Sequence, residues 1–205
     1  MQDRHIFLLA VGLACAFLLL RTDRMVWQLA RSNQTLYYVK NLPDAAEAAD
    51  HLARLDVAIK AFLERAKKRH PNDSRLRRIL ERWSGTLAET PMKADNVAYS
   101  VGKNSIYICV REKNGALANY NTSLFVLLHE LAHVATDTYG HTKEFWKNMK
   151  YLLELAEELD VYTYVDHDAQ TEMLCGKTLG TNPLSCVKRN TCASEVRAAE
   201  MHSGA

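Results

Sequence analysis

No CxxC pair occurs among the five cysteines, Cys15, Cys109, Cys175, Cys186 and Cys192. That absence excludes a four-cysteine zinc site and a thioredoxin-like redox motif. The chain also lacks a strong charge of either sign: 26 Lys and Arg stand against 24 Asp and Glu, a net charge of +2. So small a basic excess gives no field to attract nucleic acid, and none is expected as a partner. There is no internal repeat and no low-complexity tract, which excludes a repeat architecture. What remains is an ordinary globular composition, 48% hydrophobic and 24% charged, in 205 residues. That is enough for one domain with a real core. Cys175, Cys186 and Cys192 cluster late in the chain and could supply one disulfide in an oxidising compartment, or remain thiols.

One long apolar run is present. Ile6 to Leu20 reads IFLLAVGLACAFLLL, uncharged, between Arg4 and Arg21. It is shorter than the roughly 20 residues a membrane helix needs. Met25, Val26 and Trp27 could lengthen it if the stems of Arg21 and Arg24 snorkel. Residues 1–24 are therefore expected to form a transmembrane signal anchor, making this a single-pass membrane protein. Ala14-Cys15-Ala16 offers the alternative of a cleaved signal peptide. Arg21, Arg24 and Arg31 after the run lean the remaining chain towards the cytoplasmic side. Residues 25–42 are expected to be a linker, and residues 185–205 a disordered tail.

Residues 43–83 read as a helical hairpin. Pro43, Asp44 and Glu47 suit a helix N-terminus, and Leu52, Leu55, Ile59, Phe62 and Leu63 recur at helical spacing. His70-Pro71-Asn72-Asp73 breaks the pattern before a second helix at about 74–83. Residues 84–96, with Gly85 and Pro91, read as a loop. The period then changes: Val97, Tyr99 and Val101, then Ile106, Ile108 and Val110, alternate around Gly102-Lys103-Asn104, predicting a β-hairpin. A strongly apolar helix follows from Ser123 to about Thr138, closed by Gly140. Another runs from Thr142 to about Leu159, with Phe145, Trp146 and Met149 on its buried face. Residues 97–159 thus form the expected core of an α+β domain spanning 43–184.

Chemistry concentrates in Leu128-His129-Glu130-Leu131-Ala132-His133. Positions four apart share a helix face, so His129 and His133 can aim at one metal ion. Glu130, one position on, is poorly placed as a ligand but can reach a water near that ion. This is the zinc-hydrolase arrangement, two histidine ligands and a glutamate base. Three polar groups in so apolar a helix would be costly to bury without partners, and Zn²⁺ removes that cost. A catalytic zinc needs a third protein ligand and an open position. His141 leads, because Gly140 lets the backbone leave the helix and turn back; its rivals are Asp166, Glu144, which also suits a helix first turn, and His167, which between two aspartates in a loop is expected at the surface. His5, His51, His70 and His202 have no partner pattern and are expected at the surface. The strands within 97–111 could offer an edge to an extended peptide, and Tyr120, Tyr139 or Tyr164 could stabilise an oxyanion.

HELAH, then Gly140-His141 and Phe145-Trp146, resembles the WLM/SprT-like branch of zincin metallopeptidases. In detail it looks closest to WLM-like proteins of large DNA viruses and protists. Leu42-Pro43-Asp44, Ala48-Ala49-Asp50, Arg78 to Trp83, Cys175-Gly176 and Asn182-Pro183-Leu184 extend the likeness over about residues 36–184. The interval from His133 to His141 is two residues longer than usual in that family, as a longer loop would allow. The resemblance implies a small α+β zincin-like fold with a short antiparallel sheet, and zinc on His129, His133 and His141. It also implies Glu130 as general base and a protein or peptide as substrate.

Overall fold

The computed structural model describes residues 25–91, 97–167, 169, 172–180 and 182–189. The chain opens with a hairpin, β1 (Met25–Leu29) and β2 (Leu36–Lys40), whose strands pair antiparallel from Met25 with Lys40 to Leu29 with Leu36. Helices α1 (Ala45–Arg69) and α2 (Ser74–Arg82) follow, then strands β3 (Thr86–Glu89), β4 (Ala98–Val101) and β5 (Ser105–Ile108). Helices α3 (Tyr120–Ala135) and α4 (Lys143–Glu158) complete the core. A short hairpin, β6 (Met173–Leu174) and β7 (Lys177–Thr178), and a helical turn, α5 (Ser185–Lys188), close the described chain.

Three expectations are corrected here. The first is the membrane anchor. Among the described residues no helix is long and apolar enough to cross a membrane, so the single-pass description is not supported. Residues 1–24 themselves lie outside the described residues. Met25, Val26 and Trp27, which were to lengthen the span, are instead paired in β1. The second is the linker at 25–42, which is the β1–β2 hairpin, with Tyr37 and Val39 buried beneath it. The third is the loop at 84–96, part of which is β3. Its parallel pairing with β5 gives a mixed sheet of order β3-β5-β4 rather than an antiparallel one.

The tail expectation also changes in part. Leu184 and Ser185 are buried, and Lys188 pairs with Glu157 at 2.7 Å, so 185–189 is docked; residues 190–205 lie outside the described residues. Cys175 is disulfide-bonded to Cys109, 66 positions earlier, with a Cα–Cα distance of 6.4 Å. That separation is ordinary for a disulfide, and the partner lies outside the expected late cluster.

Helix α3 is the centre of the molecule. Its residues Leu124, Leu127, Leu128, Leu131, Ala132, Val134 and Ala135 are all buried. A helix that is apolar on every side must be surrounded, and α3 packs against α1, α2, α4, β4 and β5. Asn119 caps it, accepting from the N–H groups of Asn121 (2.9 Å) and Thr122 (3.2 Å). Its other end is held by cations, as the helix dipole favours. Arg78 Nε donates to Ala135 O at 2.5 Å and Arg82 to Val134 O at 3.0 Å. Lys103 Nζ donates to the carbonyls of Thr136 and Asp137. The 43–83 helical pair thus clamps the helix that carries HELAH.

His51, expected at the surface, is buried, its Nε2 3.0 Å from Ser123 Oγ. Burial, reinforced by the charge of Arg54, pushes its pKa down to about 4. An unfolded histidine titrates near 6.5, so the unfolded chain takes up this proton first. The contribution is intact above about pH 6.5 and is lost as pH falls towards 4. We expect wild type to lose about 2 kcal/mol more than His51→Asn between pH 7 and pH 4.5, measured by urea unfolding. Equal losses in the two proteins would show that His51 is not the group responsible.

Candidate metal centre

One helix and one turn build the centre. His129 and His133 project from one face of α3, and their ring centroids are 4.9 Å apart. After α3 ends, the chain turns at Gly140 in the left-handed region (φ +81°), which a side chain would resist. His141 is thereby brought back over the helix. Its ring centroid lies 5.0 Å from that of His129 and 4.9 Å from that of His133, a nearly equilateral triangle. One ligand atom from each of the three rings lies within 4.8 Å of the others.

Phe145, fully buried in the first turn of α4, is the floor of this triangle. Its ring stacks on His133 at 4.2 Å and meets His129 at 4.8 Å and His141 at 4.7 Å. Trp146, expected to share that buried face, is instead partly exposed beside His141 at 5.7 Å.

The donor set fits zinc. Nε2 of His129 and Nε2 of His141 are 3.1 Å apart, near the about 3.3 Å between two ligands of a tetrahedral zinc at about 2.0–2.1 Å. Imidazole must be neutral to bind a metal. Burial pushes His129 down to about 3, with His133 and His141 acting in the same direction. Burial also lowers His133 to about 4, followed by the charges of His141 and Lys103. Both rings are therefore unprotonated at neutral pH.

Glu130 is 5% exposed, and burial alone pushes its carboxyl up to about 7. It opens onto the same cleft of about 360 Å³ as the three histidines. The opposite wall is β4, through Ala98, Tyr99 and Ser100. β4 ends the sheet, bonded to β5 on one side and with no strand partner on the other among the described residues. The β4–β5 turn, with Gly102 and Lys103 both at positive φ, sends Lys103 to the carbonyls that end α3. Wall and ligand helix are thus tied together.

The rivals for third ligand are engaged elsewhere. Glu144 is 3.6 Å from Arg78 in the first turn of α4, and Asp166 pairs with Arg189. His167, read as a surface residue, is buried with its ring 4.5 Å from that of Phe125. Of the three tyrosines, Tyr139 lines the cleft. Tyr120 instead reaches Arg54 O and Tyr164 reaches Ser185 Oγ. Two contributors to the site escaped the sequence reading, Lys103 and the clamp of Arg78 and Arg82. In the sequence Lys103 shows only as part of a turn and Arg78 and Arg82 only as part of the family likeness; their basic character is shared by any solvated surface.

Comparison with known proteins finds viral relatives. The chain is 28% identical over 181 residues to an uncharacterised protein of Acanthamoeba polyphaga mimivirus, covering 84% of this chain and 92% of that protein. It is 37% identical over 79 residues to an uncharacterised protein of Invertebrate iridescent virus 6, covering 37% of this chain and 44% of the relative. A protein of Invertebrate iridescent virus 3, also uncharacterised, is 38% identical over 63 residues, 30% of this chain and 40% of its own length. No family model matches the chain, and no solved structure matches it significantly.

Proposed function

We propose that this protein is a zinc-dependent peptidase of the WLM/SprT-like zincin type, with zinc held by His129, His133 and His141 and Glu130 as general base. The observation that carries the reading is the convergence of three imidazoles beside a buried carboxyl, in a cleft walled by a sheet edge. When bound, zinc supplies Lewis-acid polarisation of the scissile carbonyl and lowers the pKa of its water to near neutrality.

The chain's own groups do the rest. An extended peptide adds its backbone to the open side of β4, which aligns the scissile bond along the cleft. Glu130, with its carboxyl raised to about 7 by burial, is matched to take a proton from water and return it to the leaving amine. Tyr139 brings a phenol to the same cleft, where it can donate to the developing oxyanion. Phe145 fixes the ring planes of the ligands from beneath.

The test is metal content of the full chain, supplied with zinc and then dialysed, beside a His129→Ala, His133→Ala double variant. We expect about one zinc per wild-type chain and almost none in the variant. A folded wild type that takes up no zinc overturns the proposal.

A further inference from the structure

A second recess adjoins the main cleft at His129 and Glu130. It has a volume of about 210 Å³, opens onto His129 and Glu130, and shares Ala98 with the main cleft. Its inner wall comes from Phe125 and Val126, which precede His129 by four and three positions and so lie one helical turn before it on α3. Val97 forms one side. The outer wall is the segment Lys177 to Gly180, whose Leu179 is partly buried against the core. A closed apolar cavity of about 150 Å³ already takes up benzene, so this recess has room for a branched aliphatic or aromatic side chain.

The outer wall cannot hold its place unaided, because the β6–β7 hairpin has two residues in each strand and isolated hairpins are marginal at best. Three anchors hold it. Leu174 is fully buried. Glu172, whose carbonyl accepts from Leu179 N–H at 2.9 Å, itself accepts from Thr122 Oγ1 at 2.7 Å, at the start of the site helix. The third anchor is the disulfide from Cys175, in the hairpin turn, to Cys109, the residue after β5.

We propose that this recess is a side-chain subsite for an apolar residue of the peptide substrate, and that the Cys109–Cys175 disulfide keeps its outer wall in place. The inference rests on the peptidase reading for the identity of the ligand. A strand laid along β4 projects alternate side chains to one face, and Ala98 is where that strand passes from the main cleft to the recess. The side chain beside Glu130 is then the one that enters. Selectivity at that position should follow the oxidation state of the two cysteines.

The test is equilibrium binding rather than turnover, so that failure of the subsite and failure of the peptidase reading are distinguishable. Two pentapeptides with blocked ends, differing only in a central Leu or Lys among glycines, are titrated into the zinc-loaded full chain carrying Glu130→Gln. The Leu peptide is expected to bind about 10-fold or more tightly, the range one apolar contact in a pocket commands. Adding Leu179→Asp is expected to abolish or invert that preference. Adding Cys109→Ser with Cys175→Ser is expected to reduce it to under about threefold. Thr122→Val, which cuts the other polar anchor and leaves the disulfide intact, covers the case in which the cysteine variant fails to fold. Equal binding of the two peptides, no binding of either, or a preference unmoved by Leu179→Asp overturns the subsite. A preference unmoved by loss of the disulfide or of the Thr122 anchor overturns the role given to the wall. Selective binding with no cleavage by wild type leaves the subsite standing and removes the peptidase reading.

Discussion

Glu130→Gln is expected to keep about one zinc per chain while losing peptide hydrolysis by about 10²- to 10⁴-fold, the range contributed by a positioned acid–base group. The substitution is nearly isosteric, and it removes an acid held in an apolar helix, where burial has raised its pKa to about 7. Stability should therefore not fall, and relief of that burial cost should raise it slightly. The measurement is a time course on a quenched fluorescent peptide with equal amounts of zinc-loaded wild type and variant. Equal rates in the two would make Glu130 structural and remove the proposed mechanism. Zinc bound by both proteins, with no peptide cleaved by either, would favour a metal-holding scaffold without turnover.

The second large effect lies outside the residues that line the histidine cleft. Arg111→Met is expected to cost about 3–5 kcal/mol, the usual loss when one member of a buried ion pair is removed. Glu89, at the end of β3, is fully buried. It accepts from Arg111 Nε at 2.8 Å and from the backbone N–H of Lys40 at 2.7 Å, with Lys40 Nζ at 3.5 Å. Arg111 also reaches Asp44, the N-cap residue of α1. One cluster therefore joins β2, α1, β3 and the exit from β5. Without Arg111 the Glu89 carboxylate stays buried, with the ammonium of the largely buried Lys40 at 3.5 Å as its remaining cationic partner. Glu89→Gln in the same chain should recover part of the loss, because the two changes act on one interaction. Urea denaturation of wild type, both single variants and the double variant reads the coupling; strictly additive losses would refute it.

The parts of the site that were legible in the sequence are those set by local geometry. His129, Glu130 and His133 fall within one turn and a half of a single helix, where spacing alone fixes which side chains meet. Gly140 marked the exit that carries His141 back, and its positive φ is the conformation that required it. The helices α1, α2 and α4 follow from apolar periodicity and α3 from its continuous apolar run, within a few residues at their ends. The burial pattern of α1, α2 and α4 is what that periodicity measures.

What was not legible depends on distant partners. The β1–β2 hairpin read as a linker because Trp27, Leu29 and Leu36 remain exposed on its outer side while Tyr37 and Val39 are buried. With apolar residues on both sides, the alternation that announces a strand is lost. β3 was hidden by its buried Glu89, which looks like a loop residue until Arg111 is placed against it. His51 and His167 were read as surface residues, since nothing nearby in sequence announces the Ser123 hydroxyl or the Phe125 ring that receive them. The pairing of Cys109 with Cys175 could not be read from spacing, because cysteine positions alone do not fix connectivity.

The strand order β3-β5-β4 also constrains how the molecule assembles. β5 lies between the other two, so β3 has no bonded neighbour in this sheet until β5 is in place. β4 and β5 meet across a tight turn, Val101 opposite Ser105, whereas β3 must wait for a partner further along the chain, Thr86 opposite Ser105. Closing the shorter loop costs less entropy and is faster. The expected sequence is therefore hairpin first, capture of β3 second. Nascent chain should acquire the edge that flanks the histidines before the sheet's far side exists, and substitutions in the β4–β5 turn should slow refolding more than equally destabilising ones in β3.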